Sequence, residues 1–249
     1  MLLALLTHTA LAGDAAIQPV AEAGTALIAL NVLQQGQNGT RIDLTDEGGQ
    51  GRLLPSLRFR LDVPHGREDR SRFSLTWQPL EVATRAVPPR DWQVRQLIFP
   101  SGEPVDVKYG FSFFRASWQR DLLADEDRTF ALGANLQLRT SSQEFIAVSG
   151  DQGFSEQEFG PVPSIIIRAR RDWPGVWTEL EIDALPIPDF SGFFGFYEVD
   201  ARVGLFDARG FEPYIALRGL GGGFAGTSDD GFVDNQLLLF AVLVGVAVR

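Results

Sequence analysis

From about residue 24 onward, apolar and polar residues alternate one by one along most of the chain. Leu57, Phe59, Leu61 and Val63 alternate with Arg58, Arg60 and Asp62, and Phe73, Leu75 and Trp77 with Ser74, Thr76 and Gln78. Phe114, Ala116 and Trp118 alternate with Arg115, Ser117 and Gln119. Phe130, Leu132, Ala134, Leu136 and Leu138 alternate with Gly133, Asn135, Gln137 and Arg139. A period of two marks a strand with one apolar and one polar face, and helical spacing explains none of these runs. Further strands are predicted over 165–171, 176–184, 197–206 and 211–219, with 25–33 at the start. A last one, 235–249, is apolar on both faces. That gives ten strands, with 91–99 read as a ribbon inside a loop.

The connections decide between architectures. Every second one is short: 64–70, 121–128, 172–175 and 207–210. The others are longer, at 34–52, 83–104, 149–160 and 221–234, and 186–192 is intermediate. A soluble sandwich has no reason to sort its loops in this way, whereas an outer-membrane barrel has short periplasmic turns and long external loops. Most runs also reach the 9–11 residues that a tilted strand needs to cross the hydrocarbon layer. The expected fold is therefore all-β: a closed antiparallel transmembrane β-barrel of about ten strands, with eight to twelve compatible, in the outer membrane. An even strand number brings both barrel ends to the periplasmic side. Aromatics are expected to form two belts at headgroup level. Trp118, Trp173, Trp177, Phe206 and Phe211 would lie toward the short turns, and Tyr109, Phe111, Phe193, Phe194 and Phe196 toward the long loops.

Composition sharpens this reading. The net charge is −10 over 249 residues, which argues against nucleic acid as a partner. Cysteine is absent, which excludes disulfides and thiolate chemistry, and the only histidines are His8 and His65. Residues 1–12 resemble a signal-peptide core ending in the small-x-small triplet Ala10-Leu11-Ala12, and the single barrel domain is expected over 13–249. This leader is short and has no basic n-region, so the true start is expected upstream.

The chain resembles a family of poorly characterised small outer-membrane barrels of Gram-negative bacteria. The likeness rests on Gly39 to Leu44, Leu54 to Leu61, Leu75 to Leu80, Tyr109 to Trp118 and Gly160 to Pro163. It implies fold and location, and carries no activity. Outer-membrane lipid and the barrel-assembly machinery are the expected partners. Such barrels usually finish on an aromatic that the assembly machinery reads, whereas this chain ends Val-Gly-Val-Ala-Val-Arg249.

The polar faces carry the candidate chemistry. Arg58, Arg60, Arg115, Arg139, Arg168, Arg170, Arg202 and Arg218 are assigned to the lumen, with Asp62, Glu179, Glu181, Asp183, Glu198 and Asp200. Arg168 and Arg170 are expected to pair with the Glu179–Glu181–Asp183 face of the next strand. Paired and hydrogen-bonded charges are tolerable in a barrel interior, and the arginine fork suits carboxylates. The expected result is a structural plug of ion pairs, with long external loops as the contact surface. A narrow pore for small solutes is the alternative, and a soluble periplasmic β-protein or an outer-membrane enzyme stands behind both.

Catalysis is not expected. Known outer-membrane phospholipases, lipid A deacylases, palmitoyltransferases and omptin-type proteases use a histidine, and His65 falls in a predicted periplasmic turn, away from outer-leaflet lipid. Gly219 to Gly226 lacks the lysine and helix of a phosphate loop and reads as a flexible strand end. Asp229, Asp230 and Asp234 do not match a calcium loop, and the sequon Asn38-Gly39-Thr40 has no meaning in such a bacterium. No cofactor or metal is expected.

Overall fold

The structure is a computed structural model that describes residues 17–65, 70–186, 194–206, 210–228 and 231–248. Ten antiparallel strands form a closed barrel. Its walls are, in order, β1 (Gln18–Gln35), β3 (Leu53–His65), β4 (Ser71–Gln78), β8 (Val105–Ala124), β9 (Arg128–Ala147), β10 (Gly153–Trp173), β11 (Val176–Pro186), β12 (Phe194–Leu205), β13 (Phe211–Ser228) and β14 (Gly231–Val248). Pairing of β14 with β1, from Val20 opposite Ala247 to Gln35 opposite Val233, closes the ring and leaves no edge at this seam. Four short strands accompany the wall: β2 (Ile42–Asp43) lies beside β1, β5 (Glu81–Ala86) beside β8, and β6 (Trp92–Val94) pairs with β7 (Leu97–Phe99). The ribbon expected at 91–99 is this last hairpin.

The alternation fixes which side of each strand meets lipid. Leu57, Phe59, Leu61, Leu75, Leu132, Leu136, Ile165, Leu217 and Val242 are all exposed on the outside. So many exposed large apolar side chains would be an aggregation hazard in water; in hydrocarbon they are in their own solvent. Going outward along the paired strands β8 and β9, the outer face changes abruptly. Phe114 faces Leu138, but the next outward pairs are Ser112 with Thr140, Gly110 with Ser142 and Lys108 with Glu144. Lys108 and Glu144 form an ion pair at 3.5 Å. The hydrocarbon boundary therefore lies just outward of Phe114 and Leu138. On β9 the lipid-facing run Phe130 to Leu138 is nine residues, the length needed to cross.

Strands β8, β9 and β10 are 20, 20 and 21 residues long, so roughly half of each stands in water beyond the lipid. This corrects two of the expected long loops. The segment 149–160 is mostly strand, because β9 ends at Ala147 and β10 begins at Gly153. The segment 221–234 is mostly the paired ends of β13 and β14, down to Ser228 opposite Gly231. Outside the membrane the outer face is wet, so the apolar–polar contrast that reveals a strand disappears. Gly219 to Gly226 thus lies within β13. Asp234 is on β14 and meets Arg41 at 3.5 Å, and Asp229 and Asp230 lie outside the described residues.

The aromatic belts also differ from expectation. Phe59, Trp77 and Phe114 stack side by side at the external boundary, with centroids 5.7 and 6.4 Å apart. Trp118, Trp173 and Phe211 are exposed toward the short turns, as expected. However, Tyr109, Trp177 and Phe196 are buried in the lumen, and Phe111 and Phe206 pack against the interior cluster. Four of these five lie at inward positions of their strands and Phe206 directly follows β12, so proximity to a strand end alone does not make an aromatic a belt residue. Phe193 and the Phe194 ring lie outside what the structure describes. Trp177 and Tyr214 fit inside because Gly204 and Gly245 stand opposite them: a Cβ there would come within 2.3 Å of the rings.

Candidate functional site

The lumen has two layers. Toward the short turns and through the membrane it is filled by charges; toward the outside it is apolar on one side. The apolar layer is built from Leu33 and Ile42, from Val82 on β5, and from Trp92 and Phe99 on the β6–β7 hairpin, packed against Phe145. Trp92 and Phe99 are completely buried. The hairpin is held down at the middle of β6 and at its turn: Gln93 N donates to the Thr40 hydroxyl at 2.8 Å, and Arg95 pairs with Glu156. The segment between β1 and β3 and the β6–β7 hairpin thus fold inward over the mouth. They are not free external arms.

Below this layer, the charged residues assigned to the lumen do face it. Arg58, Arg115, Arg168, Glu179, Glu181, Asp183, Glu198, Asp200, Arg202 and Arg218 are buried, and Arg60, Arg139 and Arg170 are partly so. Their pairing runs both across the lumen and between neighbouring strands. Asp200 on β12 accepts from Arg58 on β3 at 2.9 Å, from Arg202 beside it at 2.6 Å, and from Arg218 on β13 at 2.9 Å. Glu198 meets Arg115 on β8 at 2.5 Å and Arg58 at 3.2 Å. Asp183 meets Arg115 at 3.2 Å. Arginine suits this role because its several donors, fixed in one plane, can satisfy two or three carboxylates together.

The expected pairing of Arg168 and Arg170 with the adjacent face of β11 is only partly correct. Arg168 does reach Glu179, at 3.4 Å, but its closer partner is Asp121 on β8, at 3.0 Å. Arg170 stands opposite Glu179 in the strand register yet binds Asp172 at 2.8 Å and Glu212 at 3.4 Å, with its guanidinium 4.4 Å from the Trp177 ring. Glu179 is taken by Arg202 at 2.5 Å, and Glu181 has only long contacts of 3.6 to 3.8 Å, to Arg58, Arg60 and Arg202. Register neighbours do pair where Arg202 meets Glu179 and Arg218 meets Asp200, while Arg58 and Arg115 reach carboxylates on the far side of the lumen.

Two buried carboxylates of this set escape the sequence reading. Glu22 on β1 is 3% exposed; it accepts from Arg218 at 2.5 Å and from the Tyr214 hydroxyl at 2.7 Å. It lies in the run Val-Ala-Glu-Ala-Gly-Thr, where alanine on the outer face gives too little contrast to mark a strand. Glu212 is also buried, and counting inward positions back from Arg218 by twos would have found it. His65 is at the turn end of β3 with Nδ1 3.3 Å from the Val63 carbonyl, as expected of a turn residue.

One arginine is set apart. Arg139 on β9 lies just outward of the network and among the described residues has no carboxylate partner; its Nε and Nη2 are enclosed without an acceptor. Its guanidinium is held between the rings of Phe111 and Phe196, 4.6 and 4.3 Å from their centroids. It borders a cavity of about 450 Å³ lined by β9, β10 and the outer parts of β12, β13 and β14.

No protein-family model matches this chain, and no curated protein does. Among solved structures it is similar to the outer membrane protease OmpT from Escherichia coli, at 10% identity over 98% of this chain and 99% of that one, with a TM-score of 0.65. Ail of Yersinia pestis (9% identity, 93% of this chain and 98% of that one, TM-score 0.37) and Neisserial surface protein A (14%, 95% and 99%, 0.37) align more loosely. At these identities the likeness is one of fold. Closed wall, apolar outer face and ten-strand architecture together make the chain an outer-membrane β-barrel in fold and location.

Proposed function

We propose that this barrel is non-catalytic and non-conducting, and that it serves as a rigid membrane base presenting an extended β-wall and its capped mouth to partners outside the cell. The supporting observation is the cross-lumen ion network. Arg58, Arg115 and Arg218 tie β3, β8 and β13 to carboxylates of β1, β11 and β12 through the middle of the lumen. A conducting barrel needs a continuous wet path, and charges joined in pairs from opposite walls fill that path with side chains. The apolar layer of Trp92, Phe99 and Leu44 above them has no affinity for ions or polar solutes. The wall outside the membrane, carried by β8, β9 and β10, gives the partner surface. Proteolysis is the activity of OmpT; only its fold is shared here, so catalysis is not carried over.

Planar-bilayer recording tests the reading. Reconstituted protein is expected to show at most small, irregular current steps. Steady large conductance, with an ion selectivity that shifts in a Glu198→Gln variant, would establish the pore reading in its place.

A further inference from the structure

We infer that the cavity beside Arg139 is a binding site for an amphiphilic carboxylate, a molecule with one anionic head and an apolar body. The site goes beyond the reading above and does not depend on whether the barrel conducts.

Three observations carry it. First, Arg139 differs from every other arginine assigned to the lumen. Arg58, Arg60, Arg115, Arg168, Arg170, Arg202 and Arg218 each have a carboxylate within ion-pair distance. Arg139 has none among the described residues, and two of its nitrogens lack acceptors. The Phe111 and Phe196 rings offset part of that cost through their π faces, but they occupy the flat sides of the guanidinium and supply no oxygen. A cation in a confined space without an anion is an unfavourable arrangement, and a ligand carboxylate removes it.

Second, the space next to that cation has the size and character of a small-molecule pocket. At about 450 Å³ it is within the usual range of roughly 300–1,000 Å³. Besides Arg139 its walls are mostly apolar, including Phe159, Val162, Leu185, Leu220 and Leu237, with Asn235 and Ser141 as scattered polar groups. One fixed charge among apolar walls selects a molecule of the same pattern.

Third, the cavity reaches the outer surface at the level where lipid headgroups begin. Inward-facing Gly160 and Val162 and outward-facing Phe159 and Pro161 of β10 all line it. Pro161 stands opposite Leu138, the last lipid-facing residue of β9, and Phe159 opposite Thr140, the first polar one. β10 pairs with β11 only from Ile165 inward, so in this region its other edge has no strand partner among the described residues. An amphiphile dissolved in the outer leaflet keeps its head at this depth.

The test uses the barrel in phosphatidylcholine nanodiscs, with dodecanoate, dodecanol and acetate as probes and thermal unfolding as the readout. Dodecanoate is expected to raise the wild-type Tm saturably, dodecanol to raise it much less and acetate not at all. Two variants separate the site from a general effect on the bilayer. Arg139→Met removes the anchor. Gly160→Leu fills the cavity from the neighbouring strand, beside Arg139: a Cβ at Gly160 meets nothing within 4 Å, so the side chain enters open space with no clash. Both are expected to lose the dodecanoate response while retaining heat-modifiable gel migration, the sign of a folded barrel. Should Arg139→Met fail to fold, Gly160→Leu decides alone. Absence of a shift in wild type, an equal shift with dodecanol, or a response retained in either folded variant overturns the proposal.

Discussion

Asp200→Asn is expected to lower the unfolding free energy by about 3–5 kcal/mol, the usual effect of removing one partner from a buried ion pair. Asp200 is 1% exposed and receives Arg58, Arg202 and Arg218, so its neutralisation leaves three guanidinium groups in a closed space with too little negative charge. Glu181→Gln is the matched comparison on the neighbouring strand. Its carboxylate is equally enclosed, but its arginines are all 3.6 Å away or more, and the expected loss is much smaller. Urea titration of the folded barrel in lipid vesicles, followed by tryptophan fluorescence, reads both. Equal losses would show that stability depends on the total charge of the lumen and not on the short contacts at Asp200.

Leu136→Arg is expected to destabilise the barrel by about 1–3 kcal/mol, because Leu136 points outward within the lipid-facing run of β9, between its middle at Ala134 and its outer end at Leu138. The same substitution four residues along, Thr140→Arg, is expected to cost about 1 kcal/mol or less. Thr140 is on the same face but beyond the boundary set by Phe114 and Leu138, where a guanidinium reaches water. Comparing two outward positions isolates depth in the membrane. Gln137→Arg, an inward change, would not serve as the mild control. Gln137 is fully buried and its Oε1 lies 3.5 Å from an Arg115 nitrogen, so a second guanidinium there would meet like charge. The same urea titration applies, and equal losses at 136 and 140 would mean that the hydrocarbon boundary is misplaced.

These predictions rest on two kinds of information of different origin. Which face of a strand meets lipid is a local property. Leu57, Phe59 and Leu61 point one way and Arg58 and Arg60 the other because successive side chains leave a strand on opposite sides, whatever the rest of the chain does. That parity, with the sorted turn lengths, was enough to assign the barrel and its ten strands, and the fourteen charged positions assigned to the lumen are all buried or partly buried. It failed where contrast was weak, at Glu22 among alanines and in the wet outer halves of β9, β10 and β13, where both faces of a strand tolerate polar residues.

Which charges meet was not legible. Parity says that Arg58 and Asp200 both face inward, but not that they touch, because that depends on how the closed wall brings β3 and β12, four strands apart around the ring, to face each other across the lumen. Strand neighbours are set by chain order, cross-lumen partners by the closure and stagger of the whole barrel. The same holds for the mouth. Trp92 and Phe99 read as part of a loop ribbon, and only the inward fold of the β6–β7 hairpin onto Phe145 makes them a cap. Arg139 is the sharpest case: by sequence it is one more lumen arginine, and only the assembled barrel gives it two aromatic rings, an adjoining cavity and no carboxylate.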